Sequence, residues 1–574
     1  MSLSSALYVG ASGLQNSQNA LNTTAHNLSN MDTGVYTRQQ VQLSTRSYIT
    51  LSIDPNAVAN KQIGLGVNYS NTRQVRDFFL DKAYRKESGR SMFYEVSTEV
   101  LQEVEGQLGE LNGKNFQISM EDLWTAIQEL VKTPANAEVQ NLFVQSASAL
   151  IERAVSVYDG LAEYQDNLNS QIKTYVNTIN DYGKKILALN DQIAKIECGG
   201  VESANDLRDT RNKILDELAK LTDMSYTEDA TGRVSVQIEG VDFIKGEMCF
   251  EMGMDVDAAT GFYTPYWRQN ASYKTLADGT KKYVSGSADV FNLDREISSD
   301  YNTDIGGLKA MLHARGDHRA DYTDITEGNY DDISNSILMN VQAEFDQLIH
   351  SIATTINGIL ADAAGYKTGT VTLEDGTVLN NVKYWESDPD GYMRSEEGYP
   401  LQLFSKISSD GYQKGTDGTG KEVWIYVEED PTDSTTLYSL KNLQINQDLM
   451  QNPSKLGFRL ADDSEDNATV NALKAAFEAE DYTLNPNVHT KMNFINYYTN
   501  LVSQVANNGY VYQSIYDNQM STVESISYYR EQVHGVSSSE ELTNMIKYQN
   551  AYNASSRYIN VISEMMEHII MQMG

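Results

Sequence analysis

Cysteine is nearly absent: Cys198 and Cys249 are the only two in 574 residues. That number and spacing exclude a disulfide framework and a thiolate metal site, and the two are expected to stay unpaired. Positive charge is scarce as well. Lys and Arg total 44 against 79 Asp and Glu, leaving a net charge of -35 and a pI near 4.5. Such a balance argues against nucleic acid as a partner, because neutralising phosphates requires a basic surface, and anionic membranes would repel the chain. No apolar run approaches the roughly 18 residues of a transmembrane helix. The N-terminus has neither a basic region nor a continuous apolar stretch before a small-residue cleavage site, so no Sec-type signal peptide is expected. By these tests the protein is cytoplasmic, or leaves the cell by a route that removes no signal.

Catalytic patterns are missing too. The seven histidines form no HExxH or Cys/His set, and no serine sits in G-x-S-x-G with acid and base partners. The segment HARGDH, with His313, Asp317 and His318, is read as a solvated polar helix end, and its Arg315-Gly316-Asp317 tripeptide is assigned no function. ESDPDGYM, with Asp388, Asp390 and Gly391, lacks the later bidentate Glu of a calcium loop and is read as a turn. GLGVNYS, Gly64 to Ser70, lacks the Lys-Ser/Thr of a phosphate cradle and is read as the start of a strand. No catalytic residue, cofactor site or metal site is expected, and the chain is read as a non-enzyme.

What the sequence does contain is concentrated at its two ends. Leu7, Leu14, Leu21 and Leu28 lie seven apart with Leu3 four before the first, a heptad seam in a helix over residues 3–28. Small residues surround it (Ala6, Gly10, Ala11, Gly13, Ala20, Ala25), and Gln15, Asn16, Gln18, Asn19 and Asn22 supply polarity without charge. Arg38 is the first lysine or arginine and Asp32 the first carboxylate. Near the other end Met545, Tyr552, Ile559, Met566 and Met573 are also seven apart, widened by Leu542, Ile546, Ile562, Ile569 and Ile570. Ser537 and Glu540 have the spacing of a capping box. Each helix has too thin an apolar stripe to stand alone in water. They need partners, either in an assembly or in an intramolecular hairpin within an ordinary bundle.

Between them the pattern alternates. Residues 77–107 and 118–221 read as helix, broken at Pro134, and Leu207, Ile214, Leu218 and Leu221 form one apolar face. Short alternating strands follow to about 299, such as RVSVQIEG. Helix returns in IGGLKAML and over 333–360, and TVTLEDGTVLNNVKYW then gives two strands across an Asp-Gly turn. Helix resumes from Ala468 and continues through 494–534. The expected fold is mainly α with inserted β domains: an elongated multidomain rod whose N- and C-terminal helices pair as an inner coiled-coil domain. The expected units are 1–35 with 536–574 (terminal helices), 36–225 with 300–365 and 445–535 (helical rod), 226–299 (β insertion) and 366–444 (second β insertion).

The opening segment SLSSALYVGASGLQNSQNALNTTAHNLSNMDTGVYTRQQVQL resembles that of flagellar rod, hook and hook-associated proteins, through Leu14, Leu21, Ala25, Asn27, Leu28, Asn30, Thr33 and Tyr36. The closing ELTNMIKYQNAYNASSRYINVISEMMEHII is similar to the same group's last helix, through Leu542, Met545, Ile546, Gln549, Ala551, Tyr552, Ser556, Ile559, Met565 and Ile570. The interior segments GLGVNYSNTRQVRDFFLDKAYR, VKTPANAEVQ, NDLRDTRNKILDELAKL and IGGLKAML resemble the hook-associated proteins of the hook-filament junction, the FlgK family. Thr33-Gly34-Val35-Tyr36 departs from the usual Thr-Pro-Gly-Tyr of that family.

The resemblance implies a structural adaptor of the bacterial flagellum that joins hook to filament by head-to-tail helical assembly around the export channel. The alternative is a hook- or filament-type axial protein whose β insertions bind surface ligands or carry an activity. Implied partners are further copies in a ring or helical array, the hook protein, the next hook-associated junction protein and a flagellar export chaperone. Export would follow the flagellar type III route without a cleaved signal, to an extracellular position. The expected assembly interface is Leu3, Leu7, Leu14, Leu21, Leu28, Leu542, Met545, Ile546, Tyr552, Ile559, Met566 and Ile570. The chaperone would cover Met565, Met566, Ile569 and Ile570.

Overall fold

The computed structural model describes residues 3–34, 36–52, 61–109, 116–200, 202–275, 281–326, 328–460, 462 and 464–573. Helix α1 (Leu3–Ser29) leads into a long hairpin arm of strands β1 (Gln39–Thr45), β2 (Ile49–Ser52), β3 (Lys61–Ile63) and β4 (Val67–Gln74). β1 pairs antiparallel with β4 from Gln39 opposite Gln74 to Thr45 opposite Val67, and β2 pairs with β3 beyond them.

The helical body begins with α2 (Phe78–Leu108), α3 (Phe116–Lys132), α4 (Ala137–Glu197) and α5 (Asn205–Leu221). Asp77 caps α2 by accepting from the amides of Phe79 and Leu80. Pro134 breaks the chain as expected, and Asn136 caps α4. At ~1.5 Å per residue, the 61 residues of α4 span roughly 90 Å. That length makes α4 the spine against which other elements pack. On α5 the buried face consists of Arg211, Leu215, Leu218 and Ala219. Of the expected face, Leu218 is buried and Ile214 and Leu221 are half-buried against the core, while Leu207 lies half-buried outside it; Arg211 also turns inward, to Asn190 and Glu228.

The first β segment holds an antiparallel sheet of β5 (Met224–Glu228), β6 (Val234–Ile238), β7 (Val241–Lys245) and β8 (Met248–Cys249). Two hairpins follow, β9 (Met252–Val256) with β10 (Tyr263–Trp267) and β11 (Tyr273–Thr275) with β12 (Lys281–Tyr283). Three asparagines on one side of α4 dock this segment. Asn169 bonds Gly261 O and Tyr263 N, Asn180 bonds both backbone groups of Met252, and Asn190 does the same for Val234. Each amide acts as a short substitute strand that satisfies buried backbone groups.

The chain returns to helix in α6 (Gly307–Arg315), a short α7 (Tyr330–Ile333) and α8 (Ile337–Ala363). The helix expected over 333–360 is thus interrupted between Ile333 and Ile337, where Ser336 caps α8 by accepting from Met339 N. The second β segment closes a small barrel from β13 (Lys367–Leu373), β14 (Val378–Glu386), β16 (Tyr412–Asp417) and β17 (Glu422–Tyr426). The expected Asp375-Gly376 turn joins β13 and β14, with Gly376 at φ +86. β15 (Phe404–Lys406) pairs with β18 (Leu443–Ile445) outside the barrel. Asn357 of α8 docks this segment by bonding Leu403 N, Phe404 N and Phe404 O.

Short α9 (Gln447–Gln451) and α10 (Asn467–Glu478) precede α11 (Phe494–His534), which runs along α2, and α12 (Ser538–Met573), which runs along α1. The core of the body is aromatic at its centre. Phe116 lies 5.0 Å from Phe345 and 4.8 Å from Tyr498, and the Tyr498 hydroxyl donates to Leu108 O, the end of α2. The first and last segments of the sequence therefore meet twice, as α1 with α12 and as α2 with α11.

Candidate assembly interface

α1 and α12 pack antiparallel: a Cβ at Gly10 would lie 2.7 Å from Ile559 Cγ1, and one at Gly13 would lie 2.7 Å from Ser555 Oγ. The backbones approach this closely because the seam of α1 consists of small residues, Ala6, Gly10, Gly13, Ser17, Ala20 and Thr24, at alternating steps of four and three. Opposing them on α12, Met545, Tyr552, Ser555, Ile559 and Met566 are half-buried and Ile562 is buried.

The expectation of a leucine seam is corrected here. Leu3, Leu7, Leu14, Leu21 and Leu28 are all half-buried flanking residues, not the centre of the contact. A two-helix pair buries fully only the residues on the line of closest approach, and the glycines set that line. On α12, Leu542, Ile546 and Ile570 are exposed, the last at 71%. Of the four residues expected to meet a chaperone, Met565, Ile569 and Ile570 are exposed and Met566 faces the seam edge.

The other side of α1 rests on the arm. Asn16 donates to Val67 O, Ser12 Oγ accepts from Val67 N, and Asn27 bonds both the N-H and the C=O of Gln39. Gly66, at φ +86, leaves no room for a side chain, since a Cβ would lie on Ser12 Oγ. Tyr36 donates to Asn27 Oδ1 at 2.6 Å, and burial first, then Asp206, Asp209 and Glu541, push its phenol pKa upward. The departure at Gly34-Val35 falls partly on Val35, which lies outside the described residues.

Where the terminal pair joins the body, two connecting strands of chain cross. Arg38 N donates to His534 O at 2.9 Å, and the Arg38 guanidinium reaches Glu541 at 2.9 Å and Glu540 at 3.0 Å. This explains why only half of the expected capping box forms: Ser537 Oγ accepts from Glu540 N at 3.5 Å, while the Glu540 carboxylate turns to Arg38. Thr37 donates from both N and Oγ1 to the Asp209 carboxylate of α5. Below it Asp81 bridges Arg76 at 2.9 Å and Arg530 at 3.0 Å, and Asp216 joins Arg85 to Arg530. Burial would raise the Asp81 pKa, but the Arg76 hydrogen bond and the charges of Arg76, Arg530 and Arg85 outweigh it and hold the carboxyl below its usual range.

Elsewhere the sequence candidates resolve simply. The solvated reading of HARGDH is corrected for its first half: His313 and Arg315 are buried, and Arg315 bonds Asn169 Oδ1 and Tyr263 O, while Asp317 is exposed. Burial, then Lys309, lowers His313 to about 4, whereas hydrogen bonds donated to the Asp317 and Asp324 carboxylates raise His318 to about 10. The ESDPDGYM segment turns at Gly391, whose N-H donates to Asp388 O. Cys198 and Cys249 are both free thiols. Among the described residues no three His, Cys, Asp or Glu side chains are placed to hold a metal ion. The features missed in sequence, the small-residue seam and the docking asparagines, carry a weak signal: a four-three step of small residues, and Asn169 and Asn180 eleven apart on one face of a helix.

Residues 101–372 match the family model described as the flagellar hook-associated protein FlgK helical domain. Residues 7–37 match that of flagella basal body rod proteins, and residues 533–573 that of the flagellar basal body rod FlgEFG protein C-terminal segment. Flagellar hook-associated protein 1 of Bacillus subtilis is 23% identical over 97% of this chain and 96% of its own length. The proteins of that name from Escherichia coli and Salmonella typhimurium are 21% and 23% identical, each covering 99% of this chain and 100% of the relative. A solved structure of the flagellar hook junction protein FlgK from Burkholderia pseudomallei aligns at 14% identity with a TM-score of 0.46, covering 79% of this chain and all of that one.

Proposed function

We infer the role of this chain from its membership of the flagellar hook-associated proteins: it is a structural component of the bacterial flagellum, acting at the hook-filament junction. It works with other flagellar proteins in the axial structure. The observation that carries the finer reading is the antiparallel pairing of α1 with α12, because the two rod-protein models fall on these helices and leave the body between them.

In that reading the terminal pair is the inner, channel-side domain of a head-to-tail helical array. Tyr8, Ala11, Gln15, Gln18, Asn22, Ala25, His26 and Ser29 are exposed on α1, with no lysine, arginine or carboxylate among them. An uncharged wet wall can pass an unfolded chain without holding it electrostatically. The half-exposed leucines of α1 and exposed Leu542, Ile546 and Ile570 would meet neighbouring copies, the hook protein on one side and the next junction protein on the other. Before assembly, Met565, Met566, Ile569 and Ile570 would lie under an export chaperone. Export without signal cleavage and a non-catalytic role complete the reading.

Deleting residues 2–33 or 542–574 tests it. The body should remain folded by circular dichroism while incorporation at the junction and filament retention are lost. Normal filament growth after either deletion would overturn it.

A further inference from the structure

The hairpin arm is a basic island in an acidic protein. Residues 36–76 contain five basic residues (Arg38, Arg46, Lys61, Arg73, Arg76) and one carboxylate, Asp54, for a net +4, so the remainder of the -35 chain carries -39. Arg38 and Arg76 are held at the junction with the body. Arg46 is exposed, and beside it Leu43, Tyr48 and Ile49 are each at least half exposed, Tyr48 at 61%. A positive, apolar edge of this kind, around Arg46 and Tyr48, calls for an acidic, apolar receptor.

One surface of the body has that chemistry. Between α2, α4, α5 and α11 runs a groove of about 580 Å³ with Tyr84, Met92, Tyr175, Tyr182, Met520 and Val523 on its walls. Glu95 lies on its rim, with Glu99 one turn further along α2. Burial first, then the nearby Glu99, raise the Glu95 carboxyl, with Lys220 opposing. In the groove Ser88 is 5% exposed, and its Oγ has no hydrogen-bond partner among the described residues. A buried hydroxyl left unpaired costs free energy that an incoming polar group would recover.

We propose that this groove receives the hairpin arm of a second copy of the chain, with Tyr48 entering between the tyrosine and methionine walls and Arg46 meeting Glu95 and Glu99. Within one copy the arm lies along α1, bonded through Val67 and Gln39 to Asn16, Ser12 and Asn27, so the contact is between copies. The proposal rests on the self-assembly reading above. It adds which surfaces meet and makes the contact heterologous, suited to a head-to-tail array.

Disulfide trapping in flagellated cells tests it, using the full chain with Tyr48→Cys and Thr174→Cys and each single variant as control. A disulfide-linked dimer is expected only from the double variant. Adding Arg46→Glu should reduce it roughly tenfold, and Arg46→Glu with Glu95→Lys should recover it. Filaments without the dimer would overturn the docking proposal and leave the assembly reading standing. Absence of the unsubstituted chain from the junction would overturn both. If the double-cysteine chain fails to reach the junction, filament retention decides: Arg46→Glu should impair it, and failure of the added Glu95→Lys to restore it would overturn the proposal.

Discussion

The Asn27 side chain treats Gln39 as a neighbouring strand would: Nδ2 donates to Gln39 O at 2.9 Å, and Oδ1 accepts from Gln39 N at 3.0 Å. One residue thereby fixes both where α1 ends and where the arm begins. Replacing it with Ala leaves a donor and an acceptor of β1 without partners in a site that is itself 1% exposed. Asn27→Ala should cost about 1–3 kcal/mol locally. The check is amide exchange at Gln39, which should speed up in the variant while core amides of α4 stay protected.

The Gly10 and Gly13 approach predicts that helix propensity and assembly will oppose each other. Gly10→Ala adds roughly 1 kcal/mol of intrinsic helix preference, yet its Cβ would meet Ile559 at 2.7 Å and Tyr558 at 3.1 Å. The expected outcome is looser α1-α12 pairing and reduced incorporation at the junction. Ile559→Ala in the same chain should partly restore both, measured by cross-linking across the pair and by filament counts.

At the junction with the body, Asp81→Asn removes the carboxylate that Arg76 and Arg530 share. Stripping one partner from a buried ion network typically costs about 3–5 kcal/mol. Because the folded-state pKa of Asp81 is depressed, its contribution is present above the ordinary aspartate range and is lost as pH falls through the lowered value. Thermal melts of the wild type should fall on acidification from pH 5 toward pH 2 (about one to two units either side of the free value), and Asp81→Asn should show a lower midpoint and a shallower acid loss.

Glu344 has the opposite sign. It is buried beneath α11, accepting from Asn485 and Gln504 with no cation beside it among the described residues, and burial raises its pKa to about 7. A raised carboxyl gives its full stability below the ordinary glutamate pKa and loses it as pH rises through about 7. The loss is on the order of 3 kcal/mol. Asp346, raised by burial to about 7 as well, acts in the same direction. Glu344→Gln should therefore be more stable than wild type at pH near 8 and little different near pH 5, as read from denaturant midpoints (the window brackets the shift from ~4.3 upward).

Much of the fold was legible because the signals were local. The Pro134 break and the Asp375-Gly376 turn each depend on a few adjacent residues, and each formed as expected. Long helices also announced themselves by period. What the apolar period did not show was which polar residues join the buried side: α5 also buries Arg211, because Asn190 and Glu228 on other elements satisfy the guanidinium. In HARGDH, Asp317 faces solvent as read, but Asn169 and the Tyr263 carbonyl supply the partners that let Arg315 enter the core.

By itself the sequence determined that both ends are amphipathic helices, that the opening one is almost uncharged, and that two β segments interrupt a helical body. These follow from composition and periodicity, which are properties of single segments. Only the tertiary structure decided that the seam belongs to Ala6, Gly10, Gly13 and Ala20 while the leucines flank it, since the closest line between two helices depends on the partner's side chains. It also decided that asparagines hold the β segments to the helices, and that Arg38, distant in sequence from Glu541, ties the terminal pair to the body. Such pairings are satisfied between elements, and no window of sequence contains both halves.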